Sequence, residues 1–547
     1  MTVMGFVEEE LAQMWAEILD ATDVTLGSHW QALGGRPEAV RTLADRIDEE
    51  LGTRVEPAGL LDAGTLEGMA RLVRGAMAAG KAATAPAAAG AAGPRAGARP
   101  ERPALSFAQQ RLWFMQQIDP ETTLYNVPTV LRLRGALDRD RLGRALTALV
   151  ARHEVLRTTY RASSGVPHQA VAAPEEFALP YTDLTAEARP AGEAARVAAE
   201  VGAYVFDLAA DLPLRAHLLR LASDDHHLVV TFHHIAIDGW SVEIFFRELG
   251  ELYGDPGAGG APMLQYADYA GRQRERLQGD TLDALTAHWR AVLGDDPKAL
   301  AVPTDHPRPR HRSFRGAVAT RDLGPELTAL LREFGRAERG TLTMTLLAGF
   351  QALLAGWSGT EDVTVGIPVA GRTRPELQEL IGCFINMVPV RVGLGGDPAF
   401  RGLLARTRTA LLDASAQQEL PFDKLVEALV SRRGRDFLPV FRVMFSFLKE
   451  RSDPVFAGLE HCSLDLTGPQ DTAKYDLSLY AQESGAGVAL TLEYDTDLFE
   501  PETATALLAA YEQTLHDAIT FPDGPVLDLP AVRFRQSGTE RNTHRDR

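Results

Sequence analysis

Apolar positions along this chain follow two different rhythms, and the change of rhythm divides it. Near the start they recur every three or four residues. Phe6, Val7, Leu11, Met14, Trp15, Ile18 and Leu19 form one amphipathic stripe. A second stripe, Val40, Leu43 and Ile47, begins near Pro37, where proline suits the first helical position. A third runs from Thr65 to Val73, with Thr65 placed to cap it. Residues 1–75 therefore predict a small helical domain. Residues 76–102 are mostly Ala, Gly and Pro with scattered Lys and Arg. They offer nothing with which to build a core and predict a flexible linker. Beyond them, helical stretches at 139–153, 194–204, 325–335 and 343–354 alternate with short apolar runs at 363–367, 387–392 and 488–494. Such alternation predicts α/β layers. The proline-rich stretch Pro303–Pro309 predicts a loop joining two lobes, 103–300 and 301–535, ahead of a tail at 536–547.

One apolar run ends in chemistry. Leu228-Val-Val-Thr-Phe232 predicts a buried strand, and it is followed by His233, His234, Ile, Ala, Ile, Asp238, Gly239, Trp240 and Ser241. Neighbouring strand residues face opposite ways, so one imidazole can reach a cleft while the other packs inward. Gly239 permits close backbone approach to a ligand. Ser241 is placed to cap a helix over 242–253, with Glu243 in its first turn. Strand, histidine pair, tight turn and helix start suit a proton-handling site. The upstream pair His226-His227 sits beside Asp224 and Asp225 and reads as a solvated polar turn. A metal site is not expected, because adjacent strand histidines diverge and no Cys or HExxH spacing accompanies them.

HHxxxDG, in a strand-to-helix context, resembles the signature of nonribosomal peptide synthetase condensation domains. Six further stretches, in order, resemble that family's motifs: Ser106–Trp113, Arg152–Thr158, Tyr266–Ala270, Ile381–Asn386, Leu420–Leu425 and Val443–Phe445. One departure is Gln417, where the family often carries His. The resemblance implies two chloramphenicol acetyltransferase-like lobes in a V with a tunnel between them. It also implies attack of an amine on a carrier-bound acyl or aminoacyl thioester, giving an amide and a free thiol. His234 is then the catalytic imidazole, as general base or as positioning group, and His233 points inward. Asp238 is implied to pair with Arg157 of the second motif and hold the loop. Gly239 is implied near the thioester oxygen, and Trp240 and Asn386 as supporting residues. Asp-Gly-Trp-Ser differs from the wording of epimerisation domains. The histidines are not aspartates, as in heterocyclisation domains, and are intact, unlike those of the oxygenase-recruiting domain of glycopeptide assembly lines. Tyr125–Pro128 and Ala473–Leu477 look most like domains joining two L-configured residues.

His29–Pro37, with Leu33-Gly-Gly35, resembles the loop of a peptidyl carrier protein, but Pro37 stands where that family has the serine bearing phosphopantetheine. The resemblance implies a carrier-like unit that cannot be loaded; an unrelated helical bundle is the alternative. Substrates would then arrive on phosphopantetheine arms of carrier proteins in trans, or as a small-molecule amine, with no cofactor bound covalently to this chain. No adenylation motifs occur. Composition narrows little else. The 547 residues carry 45% hydrophobic and 24% charged residues, and a net charge of −18 argues against nucleic acid or anionic lipid as the main partner. Two cysteines, Cys383 and Cys462, and no membrane or secretory segment suit a reducing cytoplasm. A non-catalytic docking module of a peptide synthetase is the second functional reading.

Overall fold

The computed structural model describes residues 6–532, apart from 20, 22–23, 25–26, 52, 82–98, 261, 263, 431–439, 450–452 and 466–470. The linker expected at 76–102 lies largely outside the described residues, and the tail lies wholly outside them. The helix Leu66–Lys81, however, continues past the expected boundary at 75. Its last residues are Ala-Met-Ala-Ala-Gly-Lys, and alanine is the strongest helix former.

Four helices open the chain: Phe6–Leu19, Pro37–Leu51, Pro57–Ala63 and Leu66–Lys81. The stripes meet around Leu11, Met14, Trp15, Leu43, Ile47, Met69 and Val73, all fully buried. Trp30 joins them, edge-on to Trp15 at 5.0 Å. Thr65 does cap the last helix, its hydroxyl accepting from the Gly68 amide at 3.1 Å. The short helix Pro57–Ala63 escapes a periodicity reading because seven residues span two turns at most. This unit rests on the rest of the chain. Glu17 pairs with Arg336 at 2.5 Å, Arg408 donates to the Glu50 carbonyl at 2.9 Å, and Leu412 packs into the four-helix core.

The remainder builds two main sheets. One has five strands in the order Leu459–Asp465, Asn126–Gly135, Asp225–His233, Leu214–Ala222 and Tyr181–Asp183. The other has six: Gly316–Asp322, Gly487–Asp495, Leu477–Ser484, Val443–Lys449, Asp362–Val369 and Asn386–Gly393. Helices pack against both, so the α/β expectation holds. The division at 300 does not separate the cores. Trp289 and Leu293, on the helix Gly279–Leu293, pack into the second core. Conversely, Ala370, Leu377, Leu380, Ile381, Cys383, Phe384, Phe456 and Cys462 contribute to the first. Leu459–Asp465 is an edge strand of the first sheet, Val130 facing Asp465. A segment far along the chain is thus stitched into the sheet that carries the histidines.

The polar turn expected around His226-His227 is shorter than the sequence suggests. Ala222 pairs with Asp225 across a hairpin, leaving only Ser223 and Asp224 in the loop. His226 and His227 lie inside the strand, with His226 buried. Asp225 is neutralised there by a two-pronged contact from Arg132 at 2.6 and 2.9 Å.

Candidate functional site

The histidine strand is buried along nearly its whole length, which accounts for its unbroken apolar run. Its end is held from both sides. The His233 amide donates to the Pro213 carbonyl at 2.9 Å and the His234 amide to the Tyr125 carbonyl at 2.8 Å. The two imidazoles diverge as strand alternation requires. His233 is enclosed; its Nδ1 accepts from the Ile235 amide at 3.1 Å, and its ring stands edge-on to Phe206 at 5.8 Å. Burial, with the charges of His234 and Lys474, lowers its pKa to about 3. His233 is therefore neutral and inward-facing.

His234 faces a cavity of about 1390 Å³. Arg111, Tyr125 and Gly239 line it from the first half of the chain, and Met444, Lys474 and Glu493 from the second. Burial first, and the Lys474 charge second, lower the His234 pKa to about 4; Asp238 and local backbone groups oppose the shift. A neutral imidazole at physiological pH can accept a proton. Its Nδ1 lies 3.8 Å from Cys383 Sγ. Burial raises the Cys383 thiol pKa well above its ordinary value, so the sulfur stays protonated.

Asp238 is the helix cap, not Ser241. The helix runs from Gly239 to Gly254, and Asp238 Oδ1 accepts from the Ser241 amide at 2.8 Å. Aspartate competes well for this position, and with it the helix begins at Gly239, three residues earlier than a Ser241 cap would set it. Glu243 consequently falls outside the first turn. The Ser241 hydroxyl instead bonds the Gly382 carbonyl at 2.8 Å and receives the Gly382 amide at 3.0 Å.

The partner of Asp238 is Arg372, not Arg157. Arg372 Nη2 lies 3.1 Å from Asp238 Oδ1, with side chains only 1% and 3% exposed. Arg372 also donates to the Ser241 hydroxyl at 2.6 Å and to the Leu377 and Leu380 carbonyls. The Phe384 amide donates to Asp238 Oδ2 at 2.8 Å, and the Phe384 ring lies 4.1 Å from the Arg372 guanidinium carbon. Arg157 is satisfied locally: it donates to the Ala151 and Ala172 carbonyls and sits 3.9 Å from Glu154. It ends a short turn, Glu154–Arg157, that leads into a separate two-stranded hairpin.

Two other expected residues act as ties. Trp240 donates its indole N–H to the Gln378 carbonyl at 2.8 Å. Asn386 donates to the Gln418 and Leu420 carbonyls at 2.9 and 2.8 Å and accepts from the Phe422 amide at 3.0 Å. Gln417 is the C-cap of the helix Phe400–Ala416, and its carbonyl accepts from the Trp289 indole at 3.3 Å. Sequence reasoning missed Arg372 and gave Cys383 and Lys474 no role. Arg372 carried a faint signal, since Gly371-Arg372 follows the end of an apolar strand as His233-His234 does. Cys383 and Lys474 lay within quoted motifs, but nothing in one dimension points them at His234. Among the described residues no cluster of His, Cys, Asp or Glu could hold a metal ion, and no helix is long and apolar enough to cross a membrane.

Residues 101–536 match the profile of the condensation domain. Over 539 residues the chain is 37% identical to a linear gramicidin synthase protein of Brevibacillus parabrevis, covering 96% of this chain and 7% of that protein. The chain spans 7–10% of the length of the three gramicidin synthase proteins it resembles. Among solved structures, the X-domain from teicoplanin biosynthesis superposes with a TM-score of 0.73 at 29% identity, over 80% of this chain and 99% of that one. The first condensation domain of the calcium-dependent antibiotic synthetase shares the fold, with a TM-score of 0.65 at 22% identity over 78% and 98%. With the profile covering the whole two-sheet body and the histidine motif set at its cavity, the chain belongs to the condensation-domain family of the nonribosomal peptide synthetases.

Proposed function

We propose that this chain joins a carrier-bound acyl or aminoacyl thioester to an amine, with His234 as the proton acceptor. The observation that carries this is the placement of a neutral imidazole on a cavity walled by both halves of the chain. The amine nitrogen attacks the thioester carbonyl, the C–S bond breaks, and the nitrogen's proton ends on the departing thiolate. An imidazole of pKa about 4 is a weak base that does not retain a proton in neutral surroundings. His234 therefore serves as a relay, taking the proton as the C–N bond forms and passing it to the more basic sulfur. Gly239, on the cavity wall at the first position of its helix, is proposed to bring its backbone close to the developing oxyanion.

The substrates are proposed to enter on phosphopantetheine arms of separate carrier proteins, or as a free amine at the acceptor side. The four-helix unit is proposed to be carrier-like but unloadable, because a helix begins at Pro37 where a loadable carrier has serine. The wording of Tyr125–Pro128 and Ala473–Leu477 supports joining of two L-configured residues. A recruitment role is the second reading. It is favoured by the superposition on the teicoplanin X-domain, which has been solved in complex with OxyB. The intact His233, His234 and Asp238 favour catalysis. Replacing His234 by alanine separates the two: a general base contributes about 10²–10⁴-fold, so amide formation should fall by that much with the fold retained. Turnover close to wild type with carrier-bound substrates would overturn the assignment.

A further inference from the structure

The second sheet gives the cavity a polar wall that the amide-forming scheme does not use. Side chains alternate along Val443–Lys449. Phe445 packs into the second core with Leu479 and Leu492, whereas Ser446 and Leu448 line the cavity. The ladder carries that face across neighbouring strands. Ser446 lies opposite Tyr480, and Ser478 lies opposite Glu493. Tyr480 and Glu493 line the same cavity, as does Lys474. One contact within the group is made: the Ser478 hydroxyl donates to Glu493 Oε1 at 3.2 Å. Lys474 and Glu493 oppose one another in charge, yet no ion pair within 4.0 Å closes the space between them. The arginines of the cavity are answered elsewhere. Arg111, Arg276 and Arg374 have Asp423, Glu419 and Glu376 at 3.6, 2.6 and 4.0 Å, and the Arg272 charge acts on Asp268.

We infer that Lys474, Tyr480 and Glu493 form a side-chain subsite, which selects a polar, uncharged side chain (hydroxyl or carboxamide) on one of the two substrates. The charge balance gives the class. Burial disfavours both ionised forms, lowering the pKa of Lys474 and raising that of Glu493, while each charge opposes the other's shift. The proton they share can sit on either residue, and in both cases the pair sums to zero. A charged substrate side chain would therefore bring an uncompensated charge into a poorly hydrated wall. An apolar one would displace water and leave the Lys474, Glu493 and Tyr480 polar atoms unpaired. Burial keeps Tyr480 a phenol, which can both donate and accept. A carboxamide or hydroxyl also carries a donor and an acceptor, so it suits the wall wherever the shared proton sits. The subsite adjoins the reacting centre. The Lys474 ammonium lies 5.6 Å from the centre of the Tyr125 ring, and the Tyr125 carbonyl accepts from the His234 amide at 2.8 Å.

This rests on the reading of the cavity as the place where thioester and amine meet, and the test has one arm that needs no turnover. The first arm measures kcat/KM for amide formation in two series. Glutaminyl, glutamyl and norleucyl donors on one carrier protein are compared against a fixed amine, and the amides of the same three amino acids are compared as acceptors against a fixed donor. Glutamine should be preferred by about 5–100-fold in at least one series, the loss expected when buried polar groups are left unpaired. The series that shows it identifies the substrate that the subsite reads. Replacing both partners together, Lys474→Met with Glu493→Leu, is far milder than stranding one of them and should abolish the preference. Tyr480→Phe removes a single hydroxyl and should lower the preference by about 2–10-fold. The second arm uses calorimetry to compare binding of pantetheine amides of glutamine and norleucine, and of the two free amino-acid amides, to the same proteins. Equal treatment of glutamine and norleucine in both series and in binding overturns the inference. So does a preference that survives in the folded double variant, or in Tyr480→Phe where the double variant does not fold. If wild type forms no amide yet binds the glutamine probes more tightly, the proposed reaction fails and the subsite stands.

Discussion

Asp238 concentrates three interactions on one carboxylate, so its replacement has a calculable cost. Removing one partner of a buried ion pair costs about 3–5 kcal/mol, because the other charge is left without compensation. Losing a helix N-cap costs about 1 kcal/mol, and an unpaired buried amide such as that of Phe384 about 1–3 kcal/mol. These do not simply add. Arg372 keeps its bonds to the Ser241 hydroxyl and the Leu380 carbonyl at 2.6 and 2.7 Å, which soften the loss of the carboxylate. Asp238→Ala should therefore destabilise by about 4 kcal/mol, near the middle of the ion-pair range. A double-mutant cycle assigns the partner, read as the midpoint of urea unfolding followed by intrinsic fluorescence. Arg372→Met and Asp238→Ala should couple by about 2 kcal/mol, since groups sharing one network are not independent. Arg157→Met should add to Asp238→Ala within about 0.5 kcal/mol, as separated sites do. Equal or larger coupling through Arg157 would refute the pairing.

Two further outcomes concern the four-helix unit. Glu10 is buried where that unit meets the body, beside Thr341 and Lys449, and burial raises its pKa from 4.5 to about 8. The folded state therefore holds a proton that the unfolded state has released; the resulting stabilisation is complete below about pH 4.5 and is lost as pH rises through about 8. Glu10→Gln should flatten that decline in melting temperature between pH 5 and pH 9, and parallel curves for the two proteins would sink the argument. Incubation with a phosphopantetheinyl transferase and coenzyme A should leave the intact mass unchanged, whereas gain of one pantetheine arm on residues 1–75 would show a loadable serine outside the Pro37 position.

Much of the fold was legible because period and punctuation agree with burial. The predicted helices at Pro37 and Arg139 begin at those residues, and the strand at Val363 grows by only one residue at its start. The histidine strand was legible for the same reason, since a strand buried on both faces has no choice but to be apolar. What failed depends on contacts between distant segments. The pairing of Asp238 with Arg372 spans 134 residues and that of Asp238 with Phe384 spans 146. No periodicity reports such a distance, and a motif arginine nearer in the chain was the plausible wrong choice. The boundary at 300 failed similarly, because Trp289 is apolar enough for either core and only the packing shows which one it enters. Ser241 was mistaken for a cap because serine is a good cap; Asp238 holds that role because its carboxylate serves the helix, Phe384 and Arg372 at once.

The likeness to the teicoplanin X-domain and to a condensation domain raises a question that the fold cannot decide, since one architecture serves both roles. The deciding features are chemical and local. A recruiting surface needs neither a neutral imidazole at a cavity wall nor a paired carboxylate bracing the turn behind it. Here the two come as one assembly. The His234 amide is fixed to Tyr125, the turn after it is capped by Asp238, and Asp238 is fixed to Arg372, which in turn binds the segment bearing Cys383 and Phe384. A buried ion pair of this kind is a weak source of stability when set against apolar packing of equal volume. Its usefulness lies in orientation: it fixes where one strand end meets a loop from the other half of the chain. That is the requirement of a site whose two substrates must meet at one imidazole, because misplacing the reacting groups by about 1 Å can cost 10²-fold in rate.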